Sequence, residues 1–323
     1  MRSLLVSTLS LLALSFCWSP NASGQSSADR LEIPTHFQAH RIFVTPVTAD
    51  GQSFRLYTDT GGGRYPILLK STVERLDLPL VDTLSRGRRS IPLTRLPEFP
   101  DTTAFPPLRT DRVLVFPENR EVQLIGLENG MLGQSWFAGR TWTFDYGAER
   151  LLLHKTSPEP PAPAHTVDLG FRTDSTGQRL SNHPRIQATI DGTTHSFLFD
   201  TGATTILTDS AQAALGGPKR RGGSFMVASL FDRLRNAHPN WRVLEGASPY
   251  RGGTPLLRIP EITIAGHTVG PVWVERRSDR AFEQMSRRSM DQPVQGALGG
   301  SLFQYFRITV NYPEAWASFE RVQ

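Results

Sequence analysis

Two similar stretches dominate this sequence, Phe54-Arg-Leu-Tyr-Thr-Asp-Thr-Gly61 and His195-Ser-Phe-Leu-Phe-Asp-Thr-Gly202. Each follows an Asp-Gly pair, Asp50-Gly51 in the first case and Asp191-Gly192 in the second, and each ends an apolar run with Asp-Thr-Gly. An Asp-Gly pair between apolar runs is typical of a β-hairpin turn. The sequence therefore predicts the same unit twice, a hairpin strand that leads directly into an Asp-Thr-Gly loop.

A second pair of matching blocks lies further along the chain. Met131-Leu-Gly-Gln-Ser-Trp-Phe137 matches Ala297-Leu-Gly-Gly-Ser-Leu-Phe303, and the match continues without a gap to Tyr146 and Tyr312. Two separated blocks in the same order in both halves indicate an internal duplication. Four prolines in six residues cannot join a helix or a central strand, so the Pro-rich residues 157–165 are predicted to be a linker between the halves.

The composition describes a globular chain. Of its 323 residues, 38% are hydrophobic, which is enough for a sizeable core, and 24 Pro and 27 Gly without a period exclude collagen and coiled coil. The formal net charge of +5 comes almost entirely from dispersed Arg. We interpret this charge as a solvated surface and expect no nucleic-acid partner.

Residues 1–24 have the pattern of a signal peptide. Arg2 precedes the apolar run Leu4–Phe16, which is too short to span a bilayer, and Ala22-Ser23-Gly24 supplies small residues for cleavage. The mature chain would begin at Gln25 and would lack the single cysteine, Cys17. An exported protein without disulfides is expected in the bacterial periplasm or outside the cell. No later apolar stretch approaches the length of a membrane span.

Most of the remaining chain has the pattern of short strands with tight turns. Arg185–Ile190 alternates in polarity, and Ile259–Ile264 and Val269–Val274 flank the turn at Ala265-Gly266. Two short helices are predicted, one from a capping box at Ser71–Glu74 to about Leu78, and its counterpart from Asp209 to near Gly216. These patterns predict a mainly β protein with two lobes, residues 25–156 and 166–323.

The paired Asp-Thr-Gly motifs resemble the catalytic loops of the aspartic protease family, in both its two-lobed pepsin-like and its retropepsin-like branches, and the export signal suggests a bacterial exported type. The apolar-apolar-Gly tripeptides Met131-Leu132-Gly133 and Ala297-Leu298-Gly299 are similar to the strands that support these loops in the family. The resemblance implies a bilobal, mainly β fold with an internal pseudo-twofold duplication. It also implies an aspartic endopeptidase that hydrolyses peptide bonds in proteins or peptides, as a monomer without metal or cofactor.

The resemblance assigns roles residue by residue. Asp59 and Asp200 would be the catalytic pair, supported by residues that hold their loops: Thr60, Gly61, Gly133, Thr201, Gly202 and Gly299. The chemistry fits these residue types, because one carboxylate can take a proton from water while a carboxylic acid protonates the peptide carbonyl. Two carboxylates ~3 Å apart repel by roughly 5 kcal/mol at an effective dielectric constant near 20, so such a pair keeps one shared proton at acidic pH.

Three features depart from the family pattern. The loop after Gly61 is two residues longer than the loop after Gly202 before the matching isoleucines, Ile67 and Ile206, so it is open whether Asp59 has the usual geometry. No Tyr lies between residues 78 and 131, where the family places a hairpin flap over the substrate; residues 90–107 are the candidate flap. The extra residues 218–255, which contain Trp241 and Tyr250, are interpreted as a surface insertion, with a role in covering the cleft left open.

Other catalytic motifs are missing from the sequence. It has no Gly-x-Ser-x-Gly, His-Glu-x-x-His, Gly-Lys-Ser/Thr or strand-linked Gly-x-Gly-x-x-Gly pattern, and its eight His have no ligand spacing. We expect Trp136, Trp142, Tyr146 and Tyr312 to belong to the core, and Asp145 and Asn311 to end strands. Two alternatives stay open: a catalytically silent bilobal protein that binds peptides, and a dimer active through two Asp200 loops.

Overall fold

The computed structural model describes residues 29–87, 89–100 and 104–322. The predicted signal peptide, residues 1–24, lies outside this range. The described chain is mainly β, which confirms the prediction made from the strand patterns. Its strands are short, mostly three to six residues.

In chain order, strands β1 to β11 span Arg30–Ile33, Thr35–Gln38, Arg41–Val44, Leu56–Thr58, Ile67–Leu69, Asp82–Arg86, Arg89–Thr94, Val113–Phe116, Gly130–Leu132, Thr141–Asp145 and Arg150–His154. Strands β12 to β25 span Thr166–Asp168, Arg185–Ile190, Thr193–Phe199, Thr204–Ile206, Arg220–Gly222, Phe225–Val227, Val243–Ser248, Thr254–Ile259, Ile262–Ile264, His267–Val269, Val272–Arg277, Gly296–Leu298, Phe306–Asn311 and Trp316–Arg321. Helices α1 to α7 span Lys70–Arg75, Arg120–Ile125, Gln134–Phe137, Asp209–Leu215, Ala228–Ala237, Asp279–Ser289 and Gly300–Phe303.

Three large sheets contain most of the strands. An eight-stranded sheet from the first half has the order β2-β3-β4-β9-β5-β8-β7-β6, and a nine-stranded sheet from the second half has the order β18-β19-β22-β17-β23-β14-β13-β20-β21. A six-stranded sheet, β1-β11-β10-β24-β25-β12, joins the halves. Where β10 pairs antiparallel with β24, Thr143 lies opposite Thr309, its equivalent in the repeat, and their hydroxyls are 2.8 Å apart. The halves therefore meet along equivalent strands.

The eight- and nine-stranded sheets repeat one pattern of strand pairing. Strand β4 pairs parallel with β9 in the first sheet, and β14 pairs parallel with β23 in the second. The strand beside β9 is β5, and the strand beside β23 is β17. Strand β5 pairs antiparallel with β9 and parallel with β8, and β17 pairs antiparallel with β23 and parallel with β22. Strand β17 therefore occupies the place that β5 occupies in the first half.

This equivalence corrects the sequence alignment of the second half. The alignment matches Ile206 with Ile67, but Ile206 lies in β15, which pairs only with β16 in a separate two-stranded sheet. Helix α4, which follows β15, is therefore not the counterpart of α1; α5, which follows β17, is. The interpretation of residues 218–255 as a surface insertion is also wrong, because they supply the central strand β17, whose Met226 is fully buried. The added unit is β15, α4 and β16.

The two predicted helices begin differently. Helix α4 begins at Asp209 and ends before Gly216 as predicted, and the hydroxyl of Thr208 caps its N-terminus by accepting a hydrogen bond from the Ala211 amide. Helix α1 begins at Lys70, one residue before the predicted capping box, and has no side-chain cap from its own first turn. The amide of Ser71 instead donates to the Glu118 carboxylate at 2.9 Å. A distant carboxylate thus replaces the local cap.

A row of aromatic rings crosses the core from one half to the other. Ring centroids are 5.8 Å apart between Phe137 and Phe144, 5.8 Å between Phe144 and Phe199, and 4.4 Å between Phe199 and Phe303. Phe199 is the residue directly before Asp200, so this row lies beneath the Asp-Thr-Gly loops. The core prediction is confirmed for all four large aromatic residues named above, which are buried: Trp136, Trp142, Tyr146 and Tyr312.

The predicted strand-end roles of two polar residues are also confirmed. Asp145 and Asn311 are the last residues of β10 and β24, and their side-chain oxygens accept from the amides of Ala148 and Glu314 at 2.9 and 3.0 Å. Between β11 and β12, residues 157–162 form neither helix nor strand, as expected for a proline-rich connection. The lobe boundaries drawn on either side of it stay a prediction.

Candidate active site

The two Asp-Thr-Gly loops are held in the same way by the strands beneath them. The Asp59 amide donates to the Leu132 carbonyl at 2.9 Å, and the Asp200 amide donates to the Leu298 carbonyl at 2.9 Å. The next turn is also the same, since the amides at positions 62 and 203 bond back to the aspartate carbonyls at 3.1 and 3.3 Å. The two loops are therefore alike up to the end of this turn, and Asp59 is in register with Asp200, so the apparent two-residue difference from the Ile67–Ile206 match does not displace it.

The loops bring the two carboxyl groups into contact. Each of Asp59 and Asp200 shifts the pKa of the other, so their side chains interact directly, and both are half-buried. A Cβ atom built on Gly61 would lie 2.7 Å from Cγ of Asp200, and one built on Gly202 would lie 2.1 Å from Cγ of Asp59. Neither glycine has a positive φ. Glycine is therefore required at both positions by space, because any side chain would collide with the opposite carboxyl.

The environment favours a shared proton on the pair. Burial raises the pKa of Asp59 well above its ordinary value, and the charge of Asp200 raises it further. Burial also raises the pKa of Asp200, while its hydrogen bonds to Asp59 and to the Gly202 amide act in the opposite direction. Both pKa values are raised, so the pair keeps one shared proton over a wide pH range.

The two loop threonines tie the halves together through backbone hydrogen bonds. The Thr201 amide donates to Oγ1 of Thr60 at 2.9 Å, and the Thr60 amide donates to Oγ1 of Thr201 at 3.2 Å. The Thr60 hydroxyl in turn donates to the Phe199 carbonyl at 2.8 Å. Both threonines are fully buried. Every one of these bonds crosses from one loop to the other, so they fix the distance between the aspartates.

The two supporting glycines lie directly under the loops. A Cβ atom on Gly133 would lie 2.1 Å from the Gly63 carbonyl oxygen, and one on Gly299 would lie 2.4 Å from the Asp200 carbonyl oxygen. Real Cβ atoms do not approach backbone oxygens this closely. The loops therefore rest on the backbone of β9 and β23 at the points where each strand ends. The structure thus brings together all eight residues that the sequence singled out.

Two side chains that the sequence analysis did not single out brace the loops from the opposite half. The Tyr57 hydroxyl donates to the Gly202 carbonyl at 2.9 Å, and Nε2 of His183 lies 2.9 Å from the Gly62 carbonyl and 3.2 Å from that of Gly61. Because carbonyl oxygens only accept, Nε2 of His183 carries the proton. Each Asp-Thr-Gly loop is therefore held by a side chain from the other half of the chain.

A polar network fixes the His183 ring. Nδ1 accepts from the Ser181 hydroxyl at 2.9 Å, and the side chain of Gln134, the residue after Gly133, also contacts the ring. His183 is only 6% exposed, and burial lowers its pKa, which keeps the ring neutral. A sequence signal existed for Tyr57, which lies two residues before Asp59 on the same strand face. None existed for His183, which is far from the loop in sequence.

A cleft opens beside the Asp59 loop. Its volume is about 630 Å³, and it is bounded by residues 63–65 of the Asp59 loop, the β6–β7 hairpin and residues 179–183 of the second half. Leu84 and Ile91, which pair across the hairpin, face into it. The hairpin that covers the cleft is therefore residues 82–94, which only partly overlaps the candidate flap at residues 90–107. Trp241 and Tyr250 do not line this cleft.

Two further observations concern the described residues. They contain no group of three or more His, Cys, Asp or Glu side chains arranged to hold a metal ion. None of their helices combines the length and the apolar character needed to cross a membrane.

Comparison with known proteins assigns no family to this chain. No family profile and no curated protein matches the chain. Among solved structures, the crystal structure of edgp aligns with 90% of this chain and 94% of its own, with 11% sequence identity and a TM-score of 0.45. Similarity at this level assigns neither a family nor an activity to the chain.

Proposed function

We propose that the chain is an aspartic endopeptidase that hydrolyses peptide bonds between the carboxyl groups of Asp59 and Asp200. The observation that carries the proposal is the contact between these two carboxyls, each at the tip of an identically supported loop. A buried pair of acids is costly unless it shares a proton, and structural needs alone rarely retain such a pair. General acid–base catalysis requires a pair of this kind.

The proposed fold is the two-lobed aspartic-protease fold, with lobes at residues 25–156 and 166–323. The matched strand pairing of the two half-specific sheets supports it, as does the pairing of β10 with β24 at equivalent positions. One chain supplies both loops, so the proposed site is complete in a monomer. Export with loss of residues 1–24 belongs to the same proposal.

The reaction uses the single proton of the pair, with Asp200 taken as the base and Asp59 as the acid. Ionised Asp200 takes a proton from a water molecule, whose oxygen attacks the peptide carbonyl carbon. Protonated Asp59 donates its proton to the carbonyl oxygen, which gives a neutral gem-diol. Asp200 then donates its newly gained proton to the nitrogen while Asp59 takes a proton back from a diol hydroxyl, so the C–N bond breaks, a carboxylic acid and an amine form, and the pair regains its starting state. The crossed threonine bonds contribute by holding the two carboxyls at a fixed separation.

The test is cleavage of an unfolded protein between pH 2 and 7. Replacing either Asp59 or Asp200 by Asn removes one titrating group and preserves its shape, so we expect each single variant to lose at least about 10³-fold in kcat/KM. The double variant is expected to be little worse, because the two residues act as a unit. Asp209→Asn, at an exposed position on α4, is the matched control and is expected to retain full activity. The wild-type rate is expected to be bell-shaped in pH and insensitive to chelators.

Two outcomes would reject the proposal in different ways. If Asp59→Asn retained activity while Asp200→Asn lost it, two copies of the second loop would be acting together, and the dimer hypothesis would replace this one. If the wild type cut no substrate at any pH but bound peptides, the chain would be the catalytically silent peptide-binding protein. A statine-type inhibitor, whose hydroxyl mimics the attacking water, distinguishes an assembled site from a distorted one, because only an assembled site binds it tightly.

A further inference from the structure

The cleft beside the Asp59 loop is strongly positive. Three arginines line it: Arg64 from the first Asp-Thr-Gly loop, Arg179 from the second half and Arg288 from the last turn of α6. No Asp or Glu is among the described residues that line it. Its walls also carry an apolar surface from Ile67 and the hairpin. A cleft of this kind combines room for a peptide side chain with three positive charges on its walls.

The three arginines differ in the contacts that their guanidinium groups already make. Arg179 donates to the Tyr312 carbonyl, and its guanidinium lies 4.0 Å from the centroid of the Phe171 ring, so its charge is fixed in place. Arg64 and Arg288 are exposed, and neither forms an ion pair with another described residue. Their guanidinium groups therefore remain available for a carboxylate ligand.

Arg64 follows the anchored part of the first loop. The turn that sets Asp59 closes at Gly62, and the Gly63 carbonyl rests against Gly133, where a side chain would collide with it. The backbone is thus anchored next to Asp59, and the residues after these anchors place Arg64 in the cleft.

We propose that this cleft selects peptides with an acidic side chain, glutamate or aspartate, next to the cleaved bond, and that Arg64 and Arg288 are the specificity-determining residues. This inference rests on the proposed function for the cleavage step, but the preference for acidic peptides is a property of binding that can be measured without cleavage. A hydrogen bond between an arginine and a ligand carboxylate increases binding affinity by about 10- to 100-fold. The preference depends on an ionised ligand, so it is expected above about pH 5 and to weaken with added salt.

The experiment uses two sets of peptides, one for cleavage and one with a fluorescent label for binding. Within each set, the peptides differ only by Glu, Gln or Lys at one position. Cleavage is measured with the wild type, and binding of fluorescent peptides is measured with Asp200→Asn, both at pH 5.5. We expect Glu peptides to be preferred over Gln peptides by at least about tenfold and over Lys peptides by more. Arg64→Gln and Arg288→Gln are each expected to remove most of that preference. Arg280→Gln, an exposed arginine on α6 outside the cleft, is the matched control and is expected to keep it.

The outcomes separate this inference from the proposed function. Efficient cleavage with no difference between Glu and Gln peptides would overturn the inference and leave the catalytic proposal standing. Preferential binding of Glu peptides by Asp200→Asn and the wild type, without cleavage by either, would support the inference and overturn the catalytic proposal. A preference that Arg280→Gln reduces as much as Arg64→Gln does would show an effect of net charge alone and would also overturn the inference.

Discussion

Replacing Asp59 by Asn is predicted to stabilise the protein at neutral pH while removing its activity. Folding raises the pKa of Asp59 above its unfolded value, through burial and then through the charge of Asp200. A carboxyl with a raised pKa binds more protons in the folded state, so stability is highest at low pH and falls as pH rises. Asn in this position neither titrates nor repels Asp200, and its amide can donate the hydrogen bond that the acid donated.

The gain in the free energy of unfolding cannot exceed the smaller of two electrostatic energies. Repulsion between two carboxylates ~3 Å apart is roughly 5 kcal/mol at an effective dielectric constant of 20. Keeping a proton on Asp59 from its unfolded pKa near 3.9 up to pH 7 costs about 4 kcal/mol, at 1.36 kcal/mol per unit, so the smaller limit applies. We expect Asp59→Asn to raise the free energy of unfolding by about 2 to 4 kcal/mol at pH 7 and by almost nothing at pH 3, where both states are protonated.

The assay is urea unfolding at pH 3, 5 and 7. Asp209→Asn serves as a control whose stability is expected to change in the opposite direction. A hydrogen bond from Lys219 lowers the pKa of exposed Asp209, so its replacement is expected to lose stability at pH 7 rather than gain it. Equal unfolding free energies of wild type and Asp59→Asn at pH 7 would refute the reasoning, because the two carboxyls would then carry no cost of being close. A gain of the same size at pH 3 would refute it as well, since it would have no electrostatic origin.

Variants at three further residues test the hydrogen bonds that hold the loops. Thr60→Val leaves two buried backbone groups unpaired and is expected to cost about 2 kcal/mol of stability and most of the activity, whereas Thr60→Ser is expected to retain both; urea unfolding and peptide cleavage measure the two effects. Tyr57→Phe removes the donor to the Gly202 carbonyl and is expected to lower kcat by about tenfold with little change in KM, which steady-state kinetics would show. His183→Gln keeps a donor for the Gly62 carbonyl without a titrating ring, so unfolding between pH 4 and 7 is expected to show a smaller loss of stability toward acid than in the wild type.

The loops themselves were predictable because their constraints are local. An apolar strand, an Asp-Thr-Gly turn and a glycine at the end of the supporting strand each need specific residue types at fixed spacing. The duplication then identifies which Asp pairs with which, and the amide bonds of Asp59 and Asp200 follow that alignment. The need for Gly61 and Gly202 could also be anticipated, although the structure gives space around the carboxyls as the reason.

The order of strands in the second sheet could not be read in the same way. Thr204–Ile206 follows Gly202 closely and looks like the continuation seen at Ile67, yet the central position belongs to Phe225–Val227. Both Thr-Thr-Ile and Phe-Met-Val are short stretches that favour strands, so only the pairing with β23 decides which one takes the place beside it. Sequence similarity was strongest beside the motif, where the inserted unit begins, so it pointed to the wrong strand.

The geometry of the first loop also lay beyond sequence reasoning. The expected two-residue extension depends on matching Ile67 with Ile206, and the strand pairing does not support that match. The turn after Asp59 closes at Gly62 as the turn after Asp200 closes at Ala203, so the two aspartates are in register. A difference in loop length could not have shown this, because it depends on which later residues are matched.

The aspartate pair and His183, which lie at the same loops, make the stability of the protein depend on pH in opposite directions. The raised pKa values of Asp59 and Asp200 make the assembled site more stable as pH falls from 7 toward 4. The lowered pKa of His183 acts the other way, because below its unfolded pKa near 6.5 the unfolded chain takes up a proton that the buried ring resists. Protonation would also turn Nδ1 from an acceptor into a donor facing the Ser181 hydroxyl. The pH range in which the loops stay assembled is therefore bounded on the acidic side by the histidine that holds Gly62 and on the alkaline side by the proton shared between the aspartates.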